Sequence, residues 1–255
     1  MGSRHRALVS VLLMLASIGS ACAQTTTPDQ QLWIDGIVGK NFSGIYMAET
    51  EFSYQLLLRG NNPWVSYNAS PSLERSMGPH WDLMVGVPLS YTAQDSATNT
   101  FETRLQFGAR VHFTPFKRVQ TRLLARYEQR YLTELEPVHE TEQSARARIR
   151  AEVIVPLDVS SYASDSMWYA LADFETFITL DRDLHERFAN RTRARFGIGR
   201  KFSYNVRAEF IYCYQRSRTA IDDTGFTDDS IFRLRFKYYF TPRNRRPSTS
   251  GDNAN

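Results

Sequence analysis

The sequence predicts an all-β protein, a single antiparallel transmembrane β-barrel of 10–12 strands with short periplasmic turns and moderate extracellular loops. Three observations support this prediction. Segment after segment of the 255-residue chain alternates apolar and polar side chains with a period of two, as β-strands do. No apolar run after residue 24 is long enough for a transmembrane helix. The polar faces are rich in charged side chains, which suits a polar lumen inside an apolar wall.

The last predicted strand, Phe232–Phe240, shows the alternation most clearly. Its apolar face consists of Phe232, Leu234, Phe236, Tyr238 and Phe240, and its other face of Arg233, Arg235, Lys237 and Tyr239. This strand resembles the closing strand of bacterial outer-membrane barrels, which ends in an aromatic residue, usually Phe. The resemblance implies that Phe236, Tyr238 and Phe240 form an assembly signal for the barrel-assembly machinery. Unlike the best-known members, this chain continues after Phe240, with a tail over 241–255 that is predicted to be disordered.

The N-terminus predicts export through the inner membrane. The basic stretch Arg4–Arg6 precedes the apolar run Ala7–Ile18, and Ala21–Ala23 sets small residues where a signal peptidase cleaves. That apolar run is shorter than the roughly 20 residues that span a bilayer. Residues 1–23 are therefore predicted to be a signal peptide. A lipoprotein anchored through Cys22 is the alternative.

Cleavage after residue 23 would leave the barrel, residues 24–240, followed by the tail. It would lower the formal net charge from +4 to +2, because residues 1–23 contain two Arg and no acidic residue. A nearly balanced charge argues against nucleic acid as a partner. Cys213 would be the one remaining cysteine, so no intramolecular disulfide is expected.

The first five predicted strands are Leu32–Lys40, Ile45–Leu58, Trp64–Glu74, Trp81–Ala93 and Phe101–Phe113. Their outward positions carry large apolar residues such as Phe52, Leu83 and Phe107, while the alternate positions are polar. Pro71 weakens the third strand, because proline has no N–H to donate to the ladder.

The next six predicted strands are Thr121–Tyr131, Ala145–Leu157, Trp168–Ile178, Phe188–Ile198, Tyr204–Tyr214 and Phe232–Phe240. Val153 and Phe210 represent their outward faces, and the opposite faces carry arginines and carboxylates. The two sets make eleven segments. Bacterial single-chain barrels close with an even number of strands, so either ten or twelve are expected.

The connections set the predicted orientation. Compact turns at 76–80, 113–119 and 201–204 are expected on the periplasmic side, and longer polar loops at 93–100, 133–143, 181–186 and 219–229 on the extracellular side. None of these outer loops is long enough for a folded plug. Aromatic residues at strand ends, from Trp33 to Phe240, are expected at the two headgroup zones. The expected surroundings are therefore the bilayer and lipopolysaccharide of the bacterial outer membrane.

The inward faces predict a lattice of charges in the lumen. It consists of Glu49, Glu51, Arg104, Arg110, Arg146, Arg148, Arg150, Asp173, Glu175, Arg191, Arg193, Arg195, Arg233 and Arg235. Facing side chains on antiparallel neighbours lie about 5 Å apart, so Asp173 and Glu175 should sit between two arginine rows. When the barrel closes, acidic residues of the first strands should meet Arg233, Arg235 and Lys237. The lattice either fills a narrow lumen or lines a path that selects anions.

No catalytic residue, metal ligand or cofactor is assigned from the sequence. Acidic and histidine residues of the outer loops resemble the rim of the omptin-type outer-membrane proteases, although their spacing does not match: Asp181, Asp183, His185, Glu186, Asp222, Asp223, Asp228 and Asp229. Divalent cations shared with lipopolysaccharide are another explanation of these acids. His112 is expected to point inward as a structural residue. A soluble periplasmic lipocalin-like binding protein is the remaining alternative.

The whole mature chain resembles a family of predicted bacterial outer-membrane barrels that is defined only as a domain of unknown function. The features that carry the resemblance are Trp33, the strand end Leu56–Arg59 followed by Trp64, the inward arginines and the aromatic last strand. The resemblance implies location and architecture, namely an outer-membrane barrel that is structural or narrow and porin-like. It implies no activity, and the oligomeric state is left open.

Overall fold

The structure, a computed structural model, describes residues 28–60, 63–95, 98–135, 140–180, 191–218 and 226–240. The predicted signal peptide and tail lie outside these residues, so both stay predictions. The described secondary structure is entirely β, which confirms the predicted all-β barrel class. Within the described ranges, no helix is long and apolar enough to cross a membrane.

Twelve β-strands follow one another in the described part of the chain. They are β1 (Asp29–Phe42), β2 (Tyr46–Arg59), β3 (Trp64–Ser76), β4 (Trp81–Gly86), β5 (Leu89–Gln94), β6 (Thr100–His112), β7 (Gln120–Glu134), β8 (Thr141–Pro156), β9 (Met167–Thr179), β10 (Arg191–Lys201), β11 (Val206–Arg218) and β12 (Phe226–Tyr239). Apart from the β4–β5 break, each strand pairs with its neighbours in sequence, so the sheet is a meander.

β4 and β5 are two halves of one interrupted strand. Both lie between β3 and β6, and β5 resumes at Leu89 the register that β4 leaves at Gly86. The break contains Pro88, and Val87 donates its N–H to the carbonyl of Pro71 across the gap at 3.0 Å. Prolines on facing strands remove ladder donors on both sides. The barrel therefore has eleven strands around its circumference, and the expected even number is wrong.

The odd count changes how the barrel closes. In a meander of eleven strands the first and the last run in the same direction, so β1 and β12 pair in parallel, from Asp29 opposite Asp229 to Gly39 opposite Tyr239. The Phe240 amide then donates to Gly39 O at 2.9 Å. All the other pairs are antiparallel, and the prediction of a purely antiparallel barrel is corrected to a mixed one. Closure leaves neither β1 nor β12 as a free edge.

The wall is apolar outside and polar inside. Outward side chains such as Phe52, Phe107 and Phe236 are 54–55% exposed. Inward carboxylates are enclosed, and both Glu128 and Glu175 are 0% exposed. The period-two alternation of the sequence sets this polarity, because successive side chains of a strand point to opposite faces.

The two ends of the barrel differ. The short-turn end carries the connections 43–45, 77–80, 113–119, 157–166 and 202–205, and the opposite strand termini define the loop end. Residues 157–166 have the composition of a surface turn, yet they fold back into the barrel mouth with Tyr162 packed against the interior. The predicted position of Trp33 in a headgroup zone is wrong, because it is 8% exposed and faces the lumen.

Candidate functional site

Glu175 lies near the middle of the lumen and is fully buried. The register places it opposite Arg150 of β8 and Arg193 of β10, so arginine rows flank it on both sides. Its carboxylate accepts hydrogen bonds from Arg148 at 2.8 and 3.2 Å and from Arg195 at 3.1 Å. Arg193 approaches to 3.9 Å. Charge-assisted bonds of this kind are roughly twice as strong as neutral ones, so several cations stabilise one enclosed carboxylate.

Glu128 forms a second centre toward the loop end of the barrel. It accepts hydrogen bonds from Arg146 and Arg148, both at 2.6 Å, and from Gln106 at 2.9 Å. Arg148 thus bridges Glu128 and Glu175, and the two centres form one network across β6 to β10. Arg148 faces Arg126 and Phe177 in the register, so it reaches the two carboxylates diagonally across the neighbouring strands.

A third cluster lies along the parallel seam between β1 and β12. Asp35 is 0% exposed and is bonded to Arg233, while Arg235 lies 3.5 Å away. Arg233 also pairs with Glu51 of β2 at 2.8 Å. Arg235 in turn reaches Glu209 of β11 at 3.2 Å. The seam cluster therefore ties together the first two and the last two strands of the barrel.

The other residues of the predicted lattice are mostly paired individually. The pairs are Tyr239 with Glu49 at 3.1 Å, Arg104 with Glu102, Arg110 with Glu74 at 2.5 Å, Arg191 with Ser217 at 3.1 Å, Arg193 with Gln215 at 2.6 Å, and Arg195 with Asp173 at 2.6 Å. Arg150 has no partner within hydrogen-bond or ion-pair distance among the described residues, although the carboxylates of Glu175, Glu152 and Asp173 lie near enough to attract it. The lattice thus combines ion pairs with hydrogen bonds to neutral side chains.

Two lumenal aromatic residues belong to the lattice in addition to the predicted members. Phe177 is 3% exposed, and the guanidinium carbons of Arg148 and Arg193 lie 4.5 and 4.9 Å from its ring centroid. Trp33 lies between Arg193 at 5.4 Å and Arg233 at 5.3 Å. Cations over aromatic faces are attracted by the ring quadrupole. The lumenal position of Phe177 is predictable from the sequence, because Phe177 lies two residues after Glu175 on one strand and therefore on the same face.

The short-turn end of the lumen contains an apolar cluster with charged residues beside it. Its buried members are Ile154, Met167, Tyr169, Leu171 and Ile211, and Val159 and Tyr162 of the 157–166 connection pack against them. Tyr162 accepts a hydrogen bond from Arg207 at 3.1 Å, and Lys201 donates to Ser164 O at 2.5 Å. This connection closes part of the barrel mouth from the inside.

Glycines allow two tyrosine rings to lie against the wall at this end. A Cβ on Gly199 would come within 2.3 Å of the ring of Tyr169, and one on Gly39 within 2.7 Å of the ring of Tyr239. Each glycine is the direct cross-strand partner of its tyrosine. An aromatic ring covering a sheet glycine compensates for the missing side chain.

Comparison with known protein families identifies the group to which this barrel is related. The chain belongs to the family described as Protein of unknown function (DUF2490), which matches residues 31–225. The match begins in β1 and ends before β12, so the last strand of the seam lies outside it. No curated protein and no solved structure matches the chain.

In this DUF2490 member the buried histidine has a carboxylate partner. His112 Nε2 lies 2.6 Å from Asp82, whose other oxygen accepts from Ser76 at 2.8 Å. The serine hydroxyl and the histidine ring therefore share the carboxylate of Asp82. Among the residues that the structure describes, no group of three or more His, Cys, Asp or Glu could hold a metal ion.

The outer-loop acids named above for a hydrolase lie partly outside the described residues. Asp228 and Asp229 are described, and both point to structural partners: Asp228 pairs with Arg216 at 2.8 and 3.1 Å, and Asp229 accepts from Gln215 at 2.5 Å. The other six, at 181, 183, 185, 186, 222 and 223, are outside the described ranges.

The predicted assembly residues lie on the outer wall. Phe236, Tyr238 and Phe240 are 44–58% exposed, and the rings of Tyr238 and Phe240 pack edge to face at 5.0 Å. On the same wall an apolar groove of about 450 Å³ lies over Gly36 and is flanked by Tyr54 and other aromatic residues. The outer surface is thus rich in aromatic side chains beside the seam.

Proposed function

We propose that this protein is an integral β-barrel of the bacterial outer membrane whose lumen is a packed, ion-paired core and not an open pore. The observation that carries the proposal is the polarity of the wall. Exposed apolar patches beyond a few hundred Å² mark interaction or membrane surfaces on soluble proteins. Here the outward residues of one strand after another are large and apolar, from Phe52 of β2 to Phe236 of β12.

The packing of the interior supports the closed lumen. Asp35, Glu128 and Glu175 are out of reach of solvent, although all three lie on the inward face. The cavity beside Arg150 measures about 10 Å³, which is close to the space of a single water molecule. Small barrels are filled by side chains, and the charge lattice fills this one.

The competing functions gain no comparable support. A lipocalin-like protein needs an apolar, hollow interior for its ligand, whereas these inward positions carry ion pairs. The hydrolase alternative depends on outer-loop acids, and the two that the structure describes, Asp228 and Asp229, bond to Arg216 and Gln215. Export by the predicted signal peptide, insertion by the barrel-assembly machinery and contact with lipopolysaccharide are parts of the same proposal.

Cell fractionation and migration in gels test the location. We expect the protein in the outer-membrane fraction, soluble only with detergent, and with a folded form that migrates differently before and after boiling. Clean recovery from the soluble periplasmic fraction would overturn the membrane assignment.

Planar-bilayer recording tests the closed lumen separately. The refolded protein should give no stable conductance steps under conditions in which an open porin, reconstituted in parallel, does. Steady steps that depend on the barrel being folded would show a continuous path and would favour the narrow, porin-like function.

A further inference from the structure

Two basic side chains lie on the outer wall of the barrel at its short-turn end. Lys40 of β1 and Arg75 of β3 are exposed and share the outward faces of their strands with Val38 and Leu73. Outward positions on this wall carry mostly apolar side chains, because the wall is apolar outside and polar inside. Two cations at such positions are therefore candidates for a specific contact outside the barrel.

Aromatic rings lie beside both cations. The Lys40 Nζ atom is 5.3 Å from the centroid of the Phe42 ring, and the Arg75 guanidinium carbon is 5.7 Å from the centroid of the Tyr46 ring. Phe42 and Tyr46 are direct cross-strand partners, and Tyr46 also faces Arg75. The four side chains thus form one patch across β1, β2 and β3, which we call the basic patch.

The basic patch has no acidic counterpart on the described wall. Glu49 and Glu74, the acidic residues nearest to it along β2 and β3, face the lumen and bond to Tyr239 and Arg110 there. Neither cation of the patch forms an ion pair with any residue that the structure describes. The patch therefore presents two positive charges outward, both open to an external anion.

The apolar groove over Gly36 lies farther along the same wall. Its volume of about 450 Å³ falls within the roughly 300–1,000 Å³ of small-molecule sites, and Tyr54 and Tyr67 flank it. A Cβ added to Gly36 would meet no atom within 4 Å, so the floor of the groove is open. Gly36 and Lys40 lie on the same face of β1, four residues and thus about 13 Å apart. The groove and the basic patch are therefore within the length of one lipid molecule.

A membrane phospholipid combines a negative charge and apolar chains in this arrangement. Lysine and arginine donate N–H groups to phosphate oxygens, and clusters of them attract anionic lipids. Two cations repel the ammonium group of a zwitterionic headgroup, so a lipid with net negative charge fits better. In the proposed orientation the short-turn end faces the periplasm, so the lipid would come from the periplasmic leaflet.

We propose that the basic patch and the groove together form a binding site for one anionic glycerophospholipid. The phosphate binds to Lys40 and Arg75, and an acyl chain lies in the groove over Gly36. This inference rests on the membrane location proposed above. It adds to that location a specific lipid ligand on one side of the barrel, at β1 to β3.

Native mass spectrometry of the refolded barrel in detergent micelles tests the site. With phosphatidylglycerol or phosphatidylcholine added at equal concentration, the wild type should retain more phosphatidylglycerol. Lys40→Gln and Arg75→Gln should each lower the retained phosphatidylglycerol by up to roughly fivefold, as expected for an exposed ion pair, and the double variant should lose the preference. Lys117→Gln is the matched control, because it removes an exposed cation from the 113–119 turn at the same end of the barrel; it should keep the preference.

Gly36→Leu tests the groove separately from the basic patch. The added side chain points into open space on the outer wall, so the barrel should fold with the groove filled. Retention of both lipids should then fall while the headgroup preference stays, and unchanged retention would contradict the place of the acyl chain. Inorganic phosphate has no acyl chain and should not displace phosphatidylglycerol from the wild type. Displacement would show a site for free anions and overturn the assignment to a lipid.

The remaining outcomes count against the site. Equal retention of the two lipids by the wild type overturns it, and loss of the preference in Lys117→Gln would reveal general attraction between charges. Migration in gels before and after boiling shows whether each variant folds, and Arg75→Lys keeps the charge and should keep the preference. The assay uses detergent, so its result is separate from the location in the cell. An outer-membrane protein without the lipid preference overturns the site alone, whereas recovery from the soluble periplasm overturns both proposals.

Discussion

Replacing Glu175 by glutamine tests whether the lattice is a dry core. Glutamine keeps the size of the side chain but removes its charge. Its amide NH₂ group is a hydrogen-bond donor, and it would face the N–H donors of Arg148 or Arg195. Three hydrogen bonds from two guanidinium groups converge on this carboxylate, at 2.8, 3.1 and 3.2 Å. At least one of those donors would lose its acceptor.

The burial of the partners sets the expected size of the effect. The side chains of Arg148 and Arg195 are 11% and 5% exposed, and Glu175 is 0% exposed, so solvent screens these charges little. Breaking a buried ion pair by removing one partner costs about 3–5 kcal/mol. We therefore expect Glu175→Gln to lower the free energy of unfolding by about 3–5 kcal/mol.

Urea unfolding of the refolded barrel in lipid vesicles, followed by tryptophan fluorescence, measures this loss. Glu142→Gln is the matched control, because it makes the same chemical change at an exposed position of β8 and should stay within about 0.5 kcal/mol of the wild type. A loss below about 1 kcal/mol for Glu175→Gln would place the lattice among solvated ion pairs and refute the dry core. Asp173→Ala combined with Glu175→Ala should likewise destabilise the barrel without creating conductance.

Three further predictions concern the wall and its closure. Gly199→Ala should destabilise the folded state, measured by urea unfolding, because the added Cβ falls 2.3 Å from the ring of Tyr169. Asp35→Asn should lower the temperature at which the folded band disappears in gels, because it removes the buried partner of Arg233 at the seam. Phe240→Ala should reduce the amount of protein in the outer membrane, whereas deletion of residues 241–255 should be tolerated.

Each of these predictions has an informative control. Gly36→Ala should leave stability nearly unchanged, because no atom lies within 4 Å of the position that its added Cβ would take on the outer wall. Asp158→Asn removes an exposed partner of Arg200 and should not alter the gel transition. If tail deletion abolished insertion while Phe240→Ala had no effect, the assembly signal would lie in the tail.

Local alternation makes the barrel and its polarity predictable. A period of two fixes which face a side chain takes once a strand forms, so Phe107 can be assigned outward and Glu175 inward from the sequence alone. The arginine rows on either side of Glu175 follow from placing consecutive strands next to each other. The structure has Arg148 and Arg195 as its hydrogen-bond partners.

The strand count and the filled mouth are not predictable in the same way. Whether Pro71 and Pro88 end a strand or only interrupt it depends on the pairing that continues on both sides, which no local pattern encodes. Tyr162 lies in a polar, serine-rich connection that has the composition of a surface turn. Its burial depends on contacts with Tyr169 and Arg207, which come from other strands of the barrel.

The ion pairs of the lumen are of two kinds, and they should contribute to folding differently. Glu175 meets Arg148 and Arg195 across sequence separations of 27 and 20 residues, so those bonds can form as neighbouring hairpins assemble. Asp35 and Arg233 are 198 residues apart and meet only when β12 reaches β1. Contacts of such long range form late because loop closure must precede them. The seam pair therefore stabilises the barrel only after it has closed. Its loss in Asp35→Asn should appear chiefly as faster unfolding and only slightly as slower folding.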